Sequence, residues 1–343
     1  MINMEDLRLS DFDYELPLEI IAQEPLAQRD QSRLLVLHRK SGEIEHRRFF
    51  EIEEFLQPDD LLVMNNTEVT ARRLRGSKAT GAKVEALLLR HLGDNRWEAM
   101  VKPGRRVDIG SSIQFDQDLS ATVLERTESG GRIIDFGDAP DTAERIQAVG
   151  EVPLPPYITR VLEDADRYQT VYASEPGSAA APTAGFHFTP ELLARLRLKG
   201  IDTAYVTLNV GIATFRPVRT ENLGEHVMHT ERITISEAAA DKINRACGRI
   251  IAIGTTTARV LESAAIGDRR VAPVDRETNL FITPGYEFKM LDGLVTNFHM
   301  PKSTLLILVS ALAGRESIMR AYREAKEHGY RFLSFGDAMF ITD

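Results

Sequence analysis

Four stretches of this 343-residue chain gather glycine, small and polar side chains in patterns that suit chemistry. The first runs from Tyr172 to Thr189 and ends in Ala179-Ala-Ala-Pro-Thr-Ala-Gly-Phe-His-Phe-Thr189. Gly177 and Gly185 let a backbone approach a ligand closely. His187 lies just ahead of Thr189-Pro190, a helix start whose free N–H groups favour an anion. Without more, a tight Ala/Gly loop enclosing a satisfied histidine is the plainer reading. The second stretch, Ile253-Gly-Thr-Thr-Thr-Ala-Arg259, follows an apolar run and opens a helix. Its N–H and hydroxyl donors, with Arg259, suit a phosphate or carboxylate, although an ordinary threonine cap reads the same way. The third, Gly224-Glu-His226-Val-Met-His229-Thr-Glu231, holds two histidines and two carboxylates. It lacks zinc-motif spacing, so proton transfer by a His or Glu fits better than a metal. The fourth joins Thr283–Lys289 to Leu294-Val-Thr-Asn-Phe-His-Met-Pro-Lys-Ser-Thr304, with Asn297 and His299 at a strand end. Gly336-Asp337 offers a further rim.

These residues need elements to hold them. Arg33–Leu37, Asp60–Met64, Ala204–Val210, Arg249–Ile253, Leu294–Phe298 and Arg331–Phe335 read as strands. Helices are predicted from Thr189-Pro190 to Lys199, Ser236 to about Cys247, Thr255 to Ala265, Ser303 to Ala313 and Arg315 to His328, each bounded by a cap or glycine. That alternation predicts an α/β domain with a mostly parallel, helix-covered sheet. Residues from about 70 to 136 differ. Short β-rich runs at Val84–Leu89, Arg96–Val101, Ser112–Phe115, Ala121–Glu125 and Arg132–Phe136 follow one another between Gly and Asp/Asn turns. They predict a small all-β barrel. The division is therefore 1–70 with 152–343 for the α/β domain, and 71–151 for an inserted barrel. In open α/β sheets ligands bind at carboxyl strand ends, where all four stretches fall.

Composition narrows the function classes. Hydrophobic residues make up 43% and charged residues 27%, ordinary for a globular protein. Cys247 is the only cysteine, which excludes a disulfide framework and a multi-thiolate zinc site within the chain and fits a reducing cytoplasm. No membrane-length apolar run and no signal-like start are present. No Gly-x-Ser-x-Gly elbow, Walker loop or GxGxxG fingerprint occurs. The net charge of −9 disfavours nucleic acid as a partner. Local charge is different: Arg72–Arg106 holds ten Lys and Arg against three acids, or +7, and 107–151 holds three Arg against ten acids, or −7. Either the first stretch is a basic face for RNA, or its charges pair with the acidic stretch beside it.

The four stretches, with Phe12-Asp-Tyr-Glu-Leu-Pro17, Ile21-Ala-Gln-Glu-Pro25 and Arg29-Asp-Gln-Ser-Arg33, resemble the S-adenosylmethionine:tRNA ribosyltransferase-isomerase family in unbroken order from Phe12 to Ile341. The resemblance implies transfer and isomerisation of the ribosyl part of S-adenosylmethionine onto the amine of 7-aminomethyl-7-deazaguanine. The acceptor is the wobble base of tRNAs with GUN anticodons. Epoxyqueuosine forms, and adenine and methionine leave. Such chemistry needs a base beside the sulfonium and an acid for adenine. The candidates are His187, His229, Glu231 and His299, with Asp337 behind them. Thr255, Thr256 and Arg259 would hold the methionine carboxylate or a tRNA phosphate, and Thr183, Gly185 and Asn297 would line the substrate. Arg72, Arg73, Arg75, Arg105 and Arg106 would meet the tRNA backbone. No metal and no cofactor is expected, S-adenosylmethionine being a co-substrate. A cytoplasmic monomer without membrane contact is expected. The chain departs from the family pattern at Glu68 (an Arg there), Ala71 (a Pro), Asn209 (a His) and Ala213 (a Gly). Asn209 cannot titrate near neutral pH, so the competing expectation is a degenerate homologue that binds tRNA or S-adenosylmethionine without turnover.

Overall fold

The computed structural model describes residues 7–128, 130–162, 164–211, 218 and 220–343. Nine strands of the described residues form the larger sheet. From margin to margin they are Val274–Thr278, Glu231–Ile235, Asp202–Leu208, Leu61–Asn65, Ile250–Ile253, Gly293–Asn297, Ala338–Thr342, Arg33–His38 and Ile44–Arg48. Four inner strands, Leu61–Asn65, Ile250–Ile253, Gly293–Asn297 and Ala338–Thr342, are buried along their whole length and largely apolar, as strands covered on both faces are, whereas Asp202–Leu208 and Glu231–Ile235 alternate. Leu34, Val36, Leu62, Met64, Ile251, Ile253 and Phe340 point into one core with Phe188, Leu192 and Leu196 of the helix Pro190–Leu198. The helix Thr255–Ala264 packs across the strands Leu61–Asn65, Asp202–Leu208, Ile250–Ile253 and Gly293–Asn297. Cap chemistry sets the helix starts: Thr189, Ser236 and Ser303 each accept an N–H three residues on, at 3.1–3.2 Å.

The sheet is mixed, which corrects the expectation of a mostly parallel, helix-covered one. Four pairings are parallel and four antiparallel. The short connection from His38 to Ile44 can only return antiparallel, and Ala338–Thr342 enters between Gly293–Asn297 and Arg33–His38 against the direction of the former. A second correction concerns Arg331–Phe335, which is no strand. Leu333 takes a left-handed φ of 69°. Gly336 closes a turn so tight that a Cβ there would lie 2.4 Å from the Arg331 carbonyl oxygen. The apolar side chains of the run are buried as a loop, and the last strand is Ala338–Thr342. The helix after Ser236 stops at Asn244, which leaves Cys247 exposed beyond it.

The chain divides into two compact units. One comprises the described residues of Met1–Thr67, Pro156–Glu175 and Ala181–Asp343; the other those of Glu68–Pro155 and Pro176–Ala180. The second unit contains a closed antiparallel barrel of Arg132–Asp135, Arg96–Lys102, Lys83–Gly93, Arg72–Ser77, Ser112–Asp116 and Leu119–Arg126. Alternating side chains such as Ile113, Ala121, Val123 and Ile134 fill its interior. The helix Thr142–Val149 adds Ile146 to that core. Arg132 is buried, and its guanidinium donates to the carbonyls of Val107, Gly104 and Gly131 at 2.7–3.0 Å, tying two loops together. Ala71 is one of the departures. Its N–H donates to the Ser178 carbonyl at 3.3 Å, a bond that a proline could not make.

Candidate active site

Register places the candidate chemistry along one edge of the larger sheet. The four mutually parallel strands deliver their carboxyl ends there: Asn209 after Asp202–Leu208, Asn65, Gly254-Thr255 after Ile250–Ile253, and Asn297. Strands of opposite sense bring their amino ends to the same edge. Glu231 pairs with Thr278, Asp337 precedes Ala338, which pairs with Asn297, and Ser32 precedes Arg33. The turn Thr183–His187 lies over this edge, with Thr183 Oγ1 donating to Asn297 Oδ1 at 3.1 Å. Gly185 is required in that turn: a Cβ would lie 2.0 Å from the Tyr172 hydroxyl.

His187 is buried and its protonation is fixed by its neighbours. Asn297 Nδ2 donates to the Leu333 carbonyl at 3.2 Å, which sets the orientation of the amide. The same nitrogen lies 3.3 Å from His187 Nε2, so Nε2 accepts. Nδ1 therefore carries the proton and faces Ser32 Oγ at 2.7 Å. The ring stacks on Phe49 at 4.9 Å. Burial pushes the imidazole pKa down to about 3, and the charges of Arg331 and Arg29 push it the same way. A narrow cleft beside it is lined by Arg29, Ser32, Phe186, His187, Arg331 and Phe335. Arg29 donates to the carbonyls of Gln169 and Arg167 at 2.7 and 2.9 Å and lies over the Phe186 ring. Burial lowers its pKa, and Arg167 adds to the effect.

His299 and Asp337 are held in place by the fold. Burial takes the His299 pKa to about 3 as well. Its Nε2 lies 2.8 Å from Thr296 Oγ1, its N–H donates to the Tyr322 hydroxyl at 2.9 Å, and its carbonyl accepts from Tyr14. Asp337 accepts the backbone N–H groups of Arg33 and Arg331 at 2.9 and 2.8 Å, so its carboxylate staples the entry of one strand to the turn before another.

Glu231 is nearly buried and pairs with Arg259. Its side chain is 2% exposed, while that of His229, at 3.7 Å, is 25% exposed. Burial alone would raise the carboxyl pKa, but His229 and Arg259 outweigh it and the net shift is downward. Arg259 also donates to the Leu280 carbonyl at 3.2 Å, and its second terminal nitrogen is buried with no hydrogen-bond partner among the described residues. Arg259 stands one turn beyond Thr255, on the same helix face. Gly254, at φ 90°, gives that helix no side-chain cap, so among the described residues no capping side chain accepts its first-turn N–H groups. The buried Thr256 hydroxyl likewise has no partner among the described residues.

Asn209 Oδ1 accepts from Thr67 Oγ1 at 2.9 Å, and its N–H joins the Arg232 carbonyl. Ala213 lies outside the described residues. Sequence reasoning missed Ser32, Arg29 and Arg331 as partners of His187. The signal was present in the Arg29–Arg33 motif, but polar residues at the start of a strand carry no periodicity of their own. In the second unit the basic residues differ in state. Arg73 and Arg75 meet Glu85 and Glu151 at 3.7 and 3.1 Å. Arg72 caps the carbonyls of Val69 and Ala71. Arg105 and Arg106 sit exposed on the turn Gly104–Arg106 and form no ion pair among the described residues.

Residues 9–341 match the model of a family described as queuosine biosynthesis protein. The chain is 54% identical to the S-adenosylmethionine:tRNA ribosyltransferase-isomerase of Symbiobacterium thermophilum and 50% identical to that of Desulforamulus reducens. Both matches cover 98% of this chain and 100% of the relative. A crystal structure of S-adenosylmethionine tRNA ribosyltransferase from Thermotoga maritima matches with a TM-score of 0.54 at 41% identity, covering 96% of this chain and 99% of that one.

Proposed function

The chain belongs to the queuosine biosynthesis protein family, and from that we infer that it transfers and isomerises the ribosyl part of S-adenosylmethionine onto 7-aminomethyl-7-deazaguanine in tRNA. The product is epoxyqueuosine, with release of adenine and methionine. The carrying observation is full-length identity of 50–54% to relatives named for this reaction. The edge that gathers Asn65, Asn209, Glu231, Thr255 and Asn297 supports it with a place for the chemistry.

The chain's residues then take distinct tasks. Arg259 and the first turn of its helix take the methionine carboxylate, because that guanidinium has a buried donor to spare. His229 with Glu231 is the base that removes the proton beside the sulfonium. Among the candidate histidines it is the partly exposed one, and a buried carboxylate orients it. His187 and His299 stay neutral and act by positioning: His187 keeps Asn297 aimed, and His299 pins the turn after it. The acceptor is the wobble base of tRNAs with GUN anticodons, met in part by Arg105 and Arg106. The protein works in the cytoplasm as a monomer, with no cofactor besides its co-substrate. Among the described residues no helix is long and apolar enough to cross a membrane.

The test is to incubate the protein with S-adenosylmethionine and tRNA carrying the aminomethyl base, and to follow adenine. Stoichiometric adenine and a tRNA mass gain are expected. Binding of both substrates without adenine would instead establish the degenerate homologue. Asn209→His in the same assay then shows whether that departure limits the rate.

A further inference from the structure

We propose that His46, Glu324 and His328 form a zinc-binding site separate from the reaction edge. Their ligand atoms lie within 4.8 Å of one another. Glu324 and His328 are four residues apart at the end of the helix Arg315–Glu327, so they share one face. His46 comes from the marginal strand Ile44–Arg48. The two rings stack at 4.2 Å.

His46 is held on both sides. The Tyr330 hydroxyl lies 2.8 Å from His46 Nδ1 and 3.3 Å from the Leu34 carbonyl, and its single proton serves one of them at a time. His46 Nε2 lies 3.0 Å from Glu324 Oε1. His328 Nδ1 lies 2.9 Å from the Glu324 carbonyl oxygen, which leaves its Nε2 a lone pair. Two imidazoles and a carboxylate thus offer ligand atoms to one place, where a cation can bridge them. An outer N–H anchored on a carbonyl or hydroxyl is the usual support behind a metal-bound histidine. Two His and one Glu with an open fourth position is a zinc set, and a helix C-terminus favours a cation. The competing arrangement is the direct His46–Glu324 hydrogen bond with no ion. The neighbouring cations are Arg33, which donates to the His328 carbonyl and lies 5.3 Å from the Tyr330 ring centre, and Arg48. An ion here would clip the last helix to the marginal strand.

Chelator-treated protein titrated with zinc chloride in a calorimeter should bind one equivalent and gain thermal stability. Cobalt in its place should give the visible absorption of a low-coordinate ion. His328→Gln, at an exposed helix end, should keep the fold and lose the zinc-dependent gain in Tm. Tyr330→Phe should weaken binding about 10- to 100-fold. His46→Gln should abolish the cobalt spectrum. Absence of binding in the native protein, or binding unchanged in His328→Gln, would overturn the site.

Discussion

The Leu333 carbonyl decides the state of His187 through a single amide. It orients Asn297, Asn297 occupies Nε2, and the proton is left on Nδ1. A ring so placed resists charging, as does His299, and this has a cost in acid. In the unfolded chain both rings take a proton near the ordinary value of 6.5; in the fold neither does until about 3. Between those limits the unfolded chain binds more protons. Stability is therefore complete above about pH 6.5 and falls below it, by at most about 1.4 kcal/mol per pH unit for each ring. Urea midpoints at pH 7.5 and 5.5 should show the loss, and His299→Gln should remove about half of it. At Glu231 and Arg259 the expectation concerns rate. His229→Gln should lower kcat by about 10²- to 10⁴-fold with S-adenosylmethionine affinity kept. Arg259→Lys keeps the charge but loses the fork, so it should raise the KM for S-adenosylmethionine about tenfold or more, as loss of a charged hydrogen bond does. A KM left unchanged would remove Arg259 from the carboxylate site.

At the scale of elements, the turn Thr183–His187 depends on having no Cβ at 185. Gly185→Ala must displace Tyr172 or the turn, costing about 1–3 kcal/mol as overpacking does, and it should break the hydrogen bond between Thr183 and Asn297. A fall in kcat/KM larger than the fall in stability, read from steady-state kinetics beside urea unfolding, is the expected outcome. The strands at 33–38, 61–65, 250–253 and 293–297 were legible because each is a continuous apolar run beside turn residues. Arg331–Phe335 looked the same and was not one, since burial and strand pairing are separate facts. Leu333's left-handed backbone and the tight turn at Gly336 end any ladder there. Glu231–Ile235 was not legible as a strand although its side chains alternate buried and open, because it is short and opens on the polar residues His229-Thr-Glu231. That candidate residues such as Asn297 and Thr255 fall at strand ends was visible in the sequence. Their tautomers and ion pairs were not, because each is set by a partner far away in the chain, such as Leu333 for His187.

At the scale of the molecule, the −9 charge hides a local division of labour. Arg73, Arg75, Arg90 and Arg96 each meet a carboxylate of the second unit. Only Arg75 pairs with the acidic stretch 107–151, as one reading of the charge balance expected; the other three pair within Arg72–Arg106, while Arg105 and Arg106 form no ion pair among the described residues and are the proposed polyanion contact. Arg105→Glu with Arg106→Glu should weaken tRNA binding and lower its salt slope by about one for each phosphate no longer neutralised, with the KM for S-adenosylmethionine unchanged. Filter binding across a salt series checks this, and an unaltered slope would remove the barrel turn from the tRNA footprint.

The place of Ala338–Thr342 has a consequence for biosynthesis. Among the described residues the hairpin of Arg33–His38 and Ile44–Arg48 has no other neighbour on its inner side. It is translated before the other strands of the sheet, and the strand that covers it follows all of them. Throughout elongation the nascent chain must carry Leu34–Leu37 as an open apolar edge, the kind of surface that pairs with the wrong strand or recruits a chaperone.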